Sequence, residues 1–232
     1  AIWKHKRGET LYTLRVLPFG GYCAMEGEDG DAEPAQADSG LTQTAEIDPR
    51  SFTAKPWWQR CIILVAGAAA NFVFGYLVLA ILWATAEQNL NVLEVLRAAW
   101  LNSLYFVRLI YESLVMLFSG QAGLKDLSGP VGIVSAVGEV AAQSASVKEA
   151  AQNMANFFAF IAVNLGVMNL LPIPALDGGR VFSTIIMSLI EKFTRRTFSR
   201  KIESYIHAGG FILLLGLMAF TLFNDIARIV TN

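Results

Sequence analysis

One carboxylate carries the chemistry that this sequence can be read for. In Asn169-Leu-Leu-Pro-Ile-Pro-Ala-Leu-Asp-Gly-Gly-Arg180, Asp177 stands at the end of an apolar stretch. A carboxylate at membrane depth is costly and normally faces a cavity, a cation or a metal, so Asp177 is the first functional candidate. Pro172 and Pro174 cannot continue a helical ladder, so the helix ending near Leu171 must break there and free its last carbonyls. Gly178-Gly179 permits close backbone approach and positive φ just after the carboxylate. A broken helix at that depth is tolerated where it lines a cavity or is buried in protein. Asp177 could there bind a metal, act as a base or pair with a cation. The plainer alternative is a turn whose Asp caps a helix starting near Arg180.

The elements that must position Asp177 are membrane helices. Of 232 residues 54% are hydrophobic and only 16% charged, and mean hydropathy is +0.47, far from a soluble domain with about a quarter of its residues charged. Net charge is −1, which gives no argument for nucleic acid. The run 61–86 has Asn71 as its one strongly polar residue and is long enough to cross about 30 Å of hydrocarbon. Two 18-residue candidates follow, Met154–Leu171, with Asn156, Asn164 and Asn169, and Ile206–Phe223, with His207 near its start. Lys and Arg set the orientation. Seven lie in 1–60 and six in 172–203, against four in 87–151 and one after Phe223, so 1–60 and 172–203 read as cytoplasmic and Asp177 lies near that face.

Around these spans, residues 10–25 suggest a hairpin of two strands turning about Pro18 and Gly20-Gly21. Residues 26–49 have the composition of a solvated acidic loop. In 91–119, Glu94, Arg97, Arg108 and Glu112 fall close to one face of a helix otherwise rich in Leu, Val, Phe and Tyr, which predicts an interfacial amphipathic helix; a fourth span there would place Arg108 and Glu112 in lipid. Ser128-Gly-Pro-Val-Gly-Ile133 is a turn-rich break, and 134–150 is mildly helical. Cys23 and Cys61 match no zinc or redox spacing.

The expected architecture is an α-helical integral membrane protein with about three transmembrane helices, an interfacial amphipathic helix and a small membrane-associated β-hairpin. Its parts are a cytoplasmic-side hairpin and acidic loop (1–60), a span (61–86), an extracytoplasmic segment (87–151), a span carrying the Asp177 motif (152–180), a cytoplasmic helix or loop (181–203), and a last span and tail (204–232).

The pattern Asn169-x-x-Pro172-x-x-x-Leu176-Asp177-Gly178 resembles the N-x-x-P-x-x-x-L-D-G motif of the site-2 protease family, intramembrane zinc metalloproteases that include bacterial regulator-of-sigma-E proteases. Arg7-Gly-Glu-Thr-Leu-Tyr with Pro18-Phe-Gly-Gly-Tyr22 is similar to that family's hairpin, Val65-Ala-Gly-Ala-Ala-Ala-Asn71-Phe72 to its second-helix motif, and the segment bearing Gly129-Pro130 to the one before its third helix. Ala68 stands where the second-helix motif has proline. The resemblance implies that Asp177 is one ligand of a single Zn2+ whose other two are histidines of an H-E-x-x-H helix. The water on that zinc would attack the scissile carbonyl once the glutamate removed a proton. It further implies that Asn169 and Pro172 line the substrate path and that Leu14, Val16, Gly20, Gly21 and Tyr22 present a strand edge to an unwound substrate helix.

The chain holds no H-E-x-x-H. Of its two histidines, His5 reads as solvated among lysines and His207 as an interfacial residue with satisfied bonds. The first residue is not methionine, so the family's first helix is expected to precede Ala1, and no PDZ-sized insert follows 61–86. The implied substrates are single-pass membrane proteins, such as anti-sigma factors or remnant signal peptides, in a bacterial inner membrane. The competing readings are a catalytically inactive pseudoprotease that binds membrane helices in the same cavity, and a transporter-like protein with a broken helix at midplane.

Overall fold

A computed structural model of the chain describes residues 3–8, 10–14, 51–86, 89–123, 127–194 and 200–231. It divides into two compact units, Ala1–Lys55 and Pro56–Asn232.

In the first unit, β1 (Trp3–Arg7) pairs antiparallel with β2 (Thr10–Leu14) in the register Trp3 to Leu14, His5 to Tyr12 and Arg7 to Thr10. The chain turns after Gly8, whose φ of 63° lies in the left-handed region that glycine enters without a Cβ penalty. This hairpin begins ahead of the segment in which the sequence suggests one. Its turn lies at Gly8, and the segment around Pro18 and Gly20-Gly21 falls outside the described residues. Trp3-Lys-His-Lys-Arg7 shows no apolar alternation because both faces of the strand are exposed, so nothing local marks it as a strand. Cross-strand pairing holds it, helped by Trp3 stacking on His5 at 5.4 Å.

The second unit is helical: α1 (Trp57–Ala86), α2 (Val92–Phe118), α3 (Pro130–Ala142), α4 (Val147–Asn169), α5 (Asp177–Thr194) and α6 (Arg200–Thr231). Its core lies among α1, α2 and α4, where Leu79, Ala99, Phe106, Ile110, Ala159 and Val163 are buried together and Phe106 meets Phe160 edge-on at 5.2 Å. Glycines set how closely α1 and α4 approach. A Cβ on Gly75 would stand 2.9 Å from the Ala159 carbonyl, and one on Gly166 would stand 2.8 Å from that of Ala68. Small residues are the usual means of bringing membrane helices together, because lipid tails leave close packing as the main attraction between them.

Asn91 and Glu94 close a capping box on α2 with bonds of 3.0 and 2.9 Å. Its buried residues Val95, Ala99, Ser103, Phe106 and Ile110 make one stripe, while Arg108 and Glu112 pair at 2.7 Å on the exposed side. The expected amphipathic helix is therefore present with its polar face outward. By length and composition it is also a candidate to cross a membrane, with Trp57–Ala86, Val147–Asn169 and Tyr205–Arg228, which makes four candidates among the described residues where about three were expected. The chain is a helical membrane protein with a small β-hairpin.

Two boundaries differ from expectation. The mild helix over 134–150 is two helices, because Ser146 caps α4 by accepting the Glu149 N–H at 3.1 Å. The helix expected to end near Leu171 ends at Asn169, and the helix after the break begins at Asp177 itself, where the alternative had it near Arg180.

Candidate functional site

The break between α4 and α5 is built from its prolines. Leu170 and Leu171 donate to the Val167 and Met168 carbonyls at 3.1 Å each, tightening the last turn of α4. The N–H of Ile173 then donates to the Leu171 carbonyl across Pro172 at 2.7 Å, a three-residue turn that suits proline's fixed φ. A second turn follows, in which the Leu176 N–H donates to the Ile173 carbonyl at 3.1 Å. Pro174 is its second residue and Ala175, with φ of 79°, its third, the position where a type II turn requires positive φ. The expected positive φ therefore falls on Ala175 and not on Gly178-Gly179.

The glycines serve close approach instead. A Cβ on Gly178 would run into the carbonyls of Leu170 and Leu171, and one on Gly179 into that of Ile173. The start of α5 thus lies flat against the broken end of α4. Leu176 accepts the Arg180 N–H at 3.2 Å, so it occupies the N-cap position and Asp177 the first helical position. This corrects the alternative in which Asp177 caps a helix starting near Arg180. A carboxylate in the first turn still lies where the helix dipole favours negative charge.

Asp177 faces α1. Its Oδ2 lies 3.6 Å from where a Cβ of Gly67 would be, so the motif around Asn71 and the Leu-Asp-Gly motif meet in space. Gly67 is exposed and Asp177 half-buried, with Ala66, Ala69 and Ala70 also exposed along α1. Asn71 stands one turn beyond Gly67, half-buried, and Asn169 closes α4, also half-buried. Pro172 is exposed in the loop.

Of the other expected site residues, Leu14 ends β2 in the first unit, and Val16, Gly20, Gly21 and Tyr22 lie outside the described residues. Gly129 and Pro130 are the N-cap and first residue of α3, away from Asp177 in sequence, with Gly129 packed on α6 and Pro130 exposed. Cys61 is half-buried in α1, and Cys23 lies outside the described residues.

Two residues have roles that their sequence context did not show. His207 on α6 accepts the Ala175 N–H at Nδ1, 3.2 Å away, while its Nε2 lies 3.4 Å from Ser183 Oγ. Asp225, also on α6 and 3% exposed, accepts the Gly132 N–H at 2.8 Å and so caps α3 from another helix. The reasoning that singled out Asp177, an ionisable residue in an apolar helix, applies equally to Asp225.

Zinc sites take three or four N, O or S donors. Asp177 offers one hard oxygen donor, and among the described residues no three His, Cys, Asp or Glu side chains come together. The described residues therefore do not make a zinc site by themselves.

A carboxylate held at a proline break just after one candidate membrane span, against a small-residue face of another, fits a helical membrane protein with a polar group at a helix interruption. Residues 1–217 match peptidase family M50, and the chain belongs to that family, the site-2 protease family of membrane metalloendopeptidases. It is 36% identical over 138 residues to "Zinc metalloprotease RasP" of Geobacillus kaustophilus, covering 60% of this chain and 30% of the relative. It is 39% identical over 120 residues to "Regulator of sigma-W protease RasP" of Bacillus subtilis, covering 52% and 26%. A Clostridium perfringens relative aligns at 25% identity over 308 positions, 95% of this chain and 85% of its own length. The matched part is thus under a third of either RasP relative.

Proposed function

We propose that this chain is the core of an intramembrane zinc metalloprotease that cleaves the transmembrane segments of single-pass proteins in a bacterial inner membrane. The observation that carries the reading is the placement of Asp177, which the Pro172-Ile-Pro174 break and Gly178-Gly179 hold beside the exposed Gly67 of α1. Asp177 is one metal donor, and the others would come from the H-E-x-x-H helix characteristic of the family. The exposed small residues Ala66, Gly67 and Ala70 supply a face on which such a helix can approach closely.

Asn169 and Pro172, at and just beyond the end of α4, line the approach to Asp177. The exposed β1–β2 hairpin offers strand edges that no other described residue pairs with, and to which an extended peptide can add. Strand addition suits this reaction, because a membrane helix keeps its peptide bonds inside its own hydrogen bonds and must be extended before any bond can be cut. The sigma-factor regulation named for the Bacillus relative supports anti-sigma factors as one substrate class. Remnant signal peptides, which share the single apolar span, are a second.

The test is Asp177→Asn in the complete protein. Cleavage of a single-pass reporter is expected to vanish, with membrane insertion and thermal unfolding unchanged, and metal analysis of the unsubstituted protein is expected to give about one zinc per chain. Retained cleavage in the variant would overturn the assignment. Reporter binding without cleavage in the unsubstituted protein would favour a non-catalytic helix-binding member of the family.

A further inference from the structure

We infer that His207 is a positioning residue for Asp177: it docks the Pro174-Ala175 turn onto α6 and thereby fixes where α5 begins. The inference rests on the reading of Asp177 as a reactive-site carboxylate, but its geometry stands independently. Ala175 is a non-glycine residue at φ 79°, a conformation that persists only where its surroundings hold it. The N–H of the same residue donates to His207 Nδ1 at 3.2 Å, across 32 residues of sequence.

An amide N–H can only donate, so Nδ1 carries its lone pair and the ring proton sits on Nε2. That nitrogen faces Ser183 Oγ at 3.4 Å, and Ser183 Oγ in turn donates to the Arg180 carbonyl at 3.0 Å. The chain of donors runs in one direction, from Ala175 through the ring to the first turns of α5, and it bridges both sides of Asp177. One turn further along α6, on the same face, Gly210 lets Pro174 lie against the helix, since a Cβ there would stand 2.6 Å from the Pro174 carbonyl. His207 and Gly210 therefore hold consecutive loop residues, one by a hydrogen bond and one by the absence of a side chain. Asp177 lies two residues beyond Ala175, so its carboxylate reaches the Gly67 face only when this turn is seated.

Two substitutions separate this role from packing. His207→Phe keeps the ring volume and removes the acceptor, whereas His207→Asn keeps an acceptor oxygen near the position of Nδ1. Both are made in the complete protein in detergent micelles. Amide hydrogen exchange of the peptide containing Ala175 is followed together with kcat and KM for a single-pass reporter. His207→Phe is expected to speed exchange there about tenfold, the factor set by one lost hydrogen bond of ordinary strength. It should also lower kcat about tenfold while KM stays within about twofold, as for other residues that orient a reactive group without touching substrate.

His207→Asn should restore most of both losses. If His207→Phe leaves exchange and kcat unchanged, or if His207→Asn is as impaired as His207→Phe, the inference is overturned. Should His207→Phe not accumulate, Ser183→Ala is read in its place: it frees the far side of the ring, and unchanged exchange at Ala175 would overturn the inference equally. The expected exchange pattern in a protein with no measurable cleavage would support the role of His207 in seating the turn while counting against the protease reading.

Discussion

Gly166→Ala tests how closely α1 and α4 must approach for Asp177 to reach α1. An added Cβ at Gly166 would stand 2.8 Å from the Ala68 carbonyl oxygen, 3.2 Å from the Phe72 nitrogen and 3.5 Å from the Phe72 Cβ. The first two are backbone atoms inside a helix and cannot turn aside. Restoring ordinary contact requires the helices to part by roughly half an ångström, a gap that forfeits about a quarter of the dispersion energy of each contact it opens. Those contacts include Gly75 against Ala159 and Val163, within about two turns and in the core. Overpacking of this kind costs about 1–3 kcal/mol, partly offset by the gain of about 1 kcal/mol that alanine brings over glycine in a helix. The net loss is up to about 2 kcal/mol, a fall of up to about 8 °C in Tm for a unit of this size.

The control is Gly216→Ala. Gly216 is exposed on α6 and a Cβ there would meet nothing within 4 Å, so only the propensity gain remains and Tm should hold or rise. The assay is thermal unfolding of the purified protein in detergent, followed by circular dichroism, with reporter cleavage measured below the transition. Gly166 lies three residues before the end of α4, so the displacement carries into Asn169 and the break, and cleavage should fall further than stability alone accounts for. A Gly166→Ala protein as stable and active as the Gly216→Ala protein would refute the close α1–α4 approach and, with it, the placement of Asp177 against Gly67.

Three further substitutions probe separate links. Gly67→Ala should be tolerated, since its Cβ would make an ordinary 3.6 Å contact with Asp177 Oδ2, whereas Gly67→Leu should abolish cleavage with insertion intact; equal activity of the two would place Asp177 elsewhere. Ala175→Gly should leave Tm nearly unchanged, because relief of the positive φ and loss of alanine's stiffer unfolded chain oppose each other, whereas Ala175→Val should cost about 1–3 kcal/mol; a harmless valine would rule out the left-handed turn. Asp225→Leu should cost about 1–3 kcal/mol by leaving the Gly132 N–H without its acceptor, and Asp225→Asn much less, and equal losses in unfolding experiments would show that the hydrogen bond is not what matters.

The parts of the fold legible in the sequence are those whose cause is local. The apolar run of α1, the stripe and capping residues of α2 and the interruption by Pro172 and Pro174 each follow from residues within a turn or two of one another. The split between α3 and α4 also has a local cause, the Ser146-Val-Lys-Glu149 capping sequence, which reading 134–150 as one mild helix passes over. Strand β1 was not legible, because Trp3-Lys-His-Lys-Arg7 acquires its conformation from a partner strand and exposes both faces. Position along the chain could mark Asp177 as a candidate, but its being beside Gly67 depends on two helices whose close contact Gly75 and Gly166 permit.

The residues of α6 were the least legible for the same reason. His207 and Asp225 bond to backbone groups 32 and 93 residues away, and neither partner is marked by anything but a turn. Each satisfies an N–H at a helix break or a helix start, where the helix itself supplies no acceptor. They lie 18 residues apart on a helix that rises about 1.5 Å per residue, so α6 fastens the Ala175 turn at one level and the start of α3 about 27 Å away. A helix so largely exposed along its apolar stretch has little side-chain burial to hold its register. These two hydrogen bonds, with the glycine contacts at Gly210 and Gly129, help to set that register. A shift of α6 by even one residue would separate His207 from Ala175 and Asp225 from Gly132 together. Losses of stability from substitutions at the two ends should therefore be less than additive, since either one alone already releases part of the constraint that the other imposes.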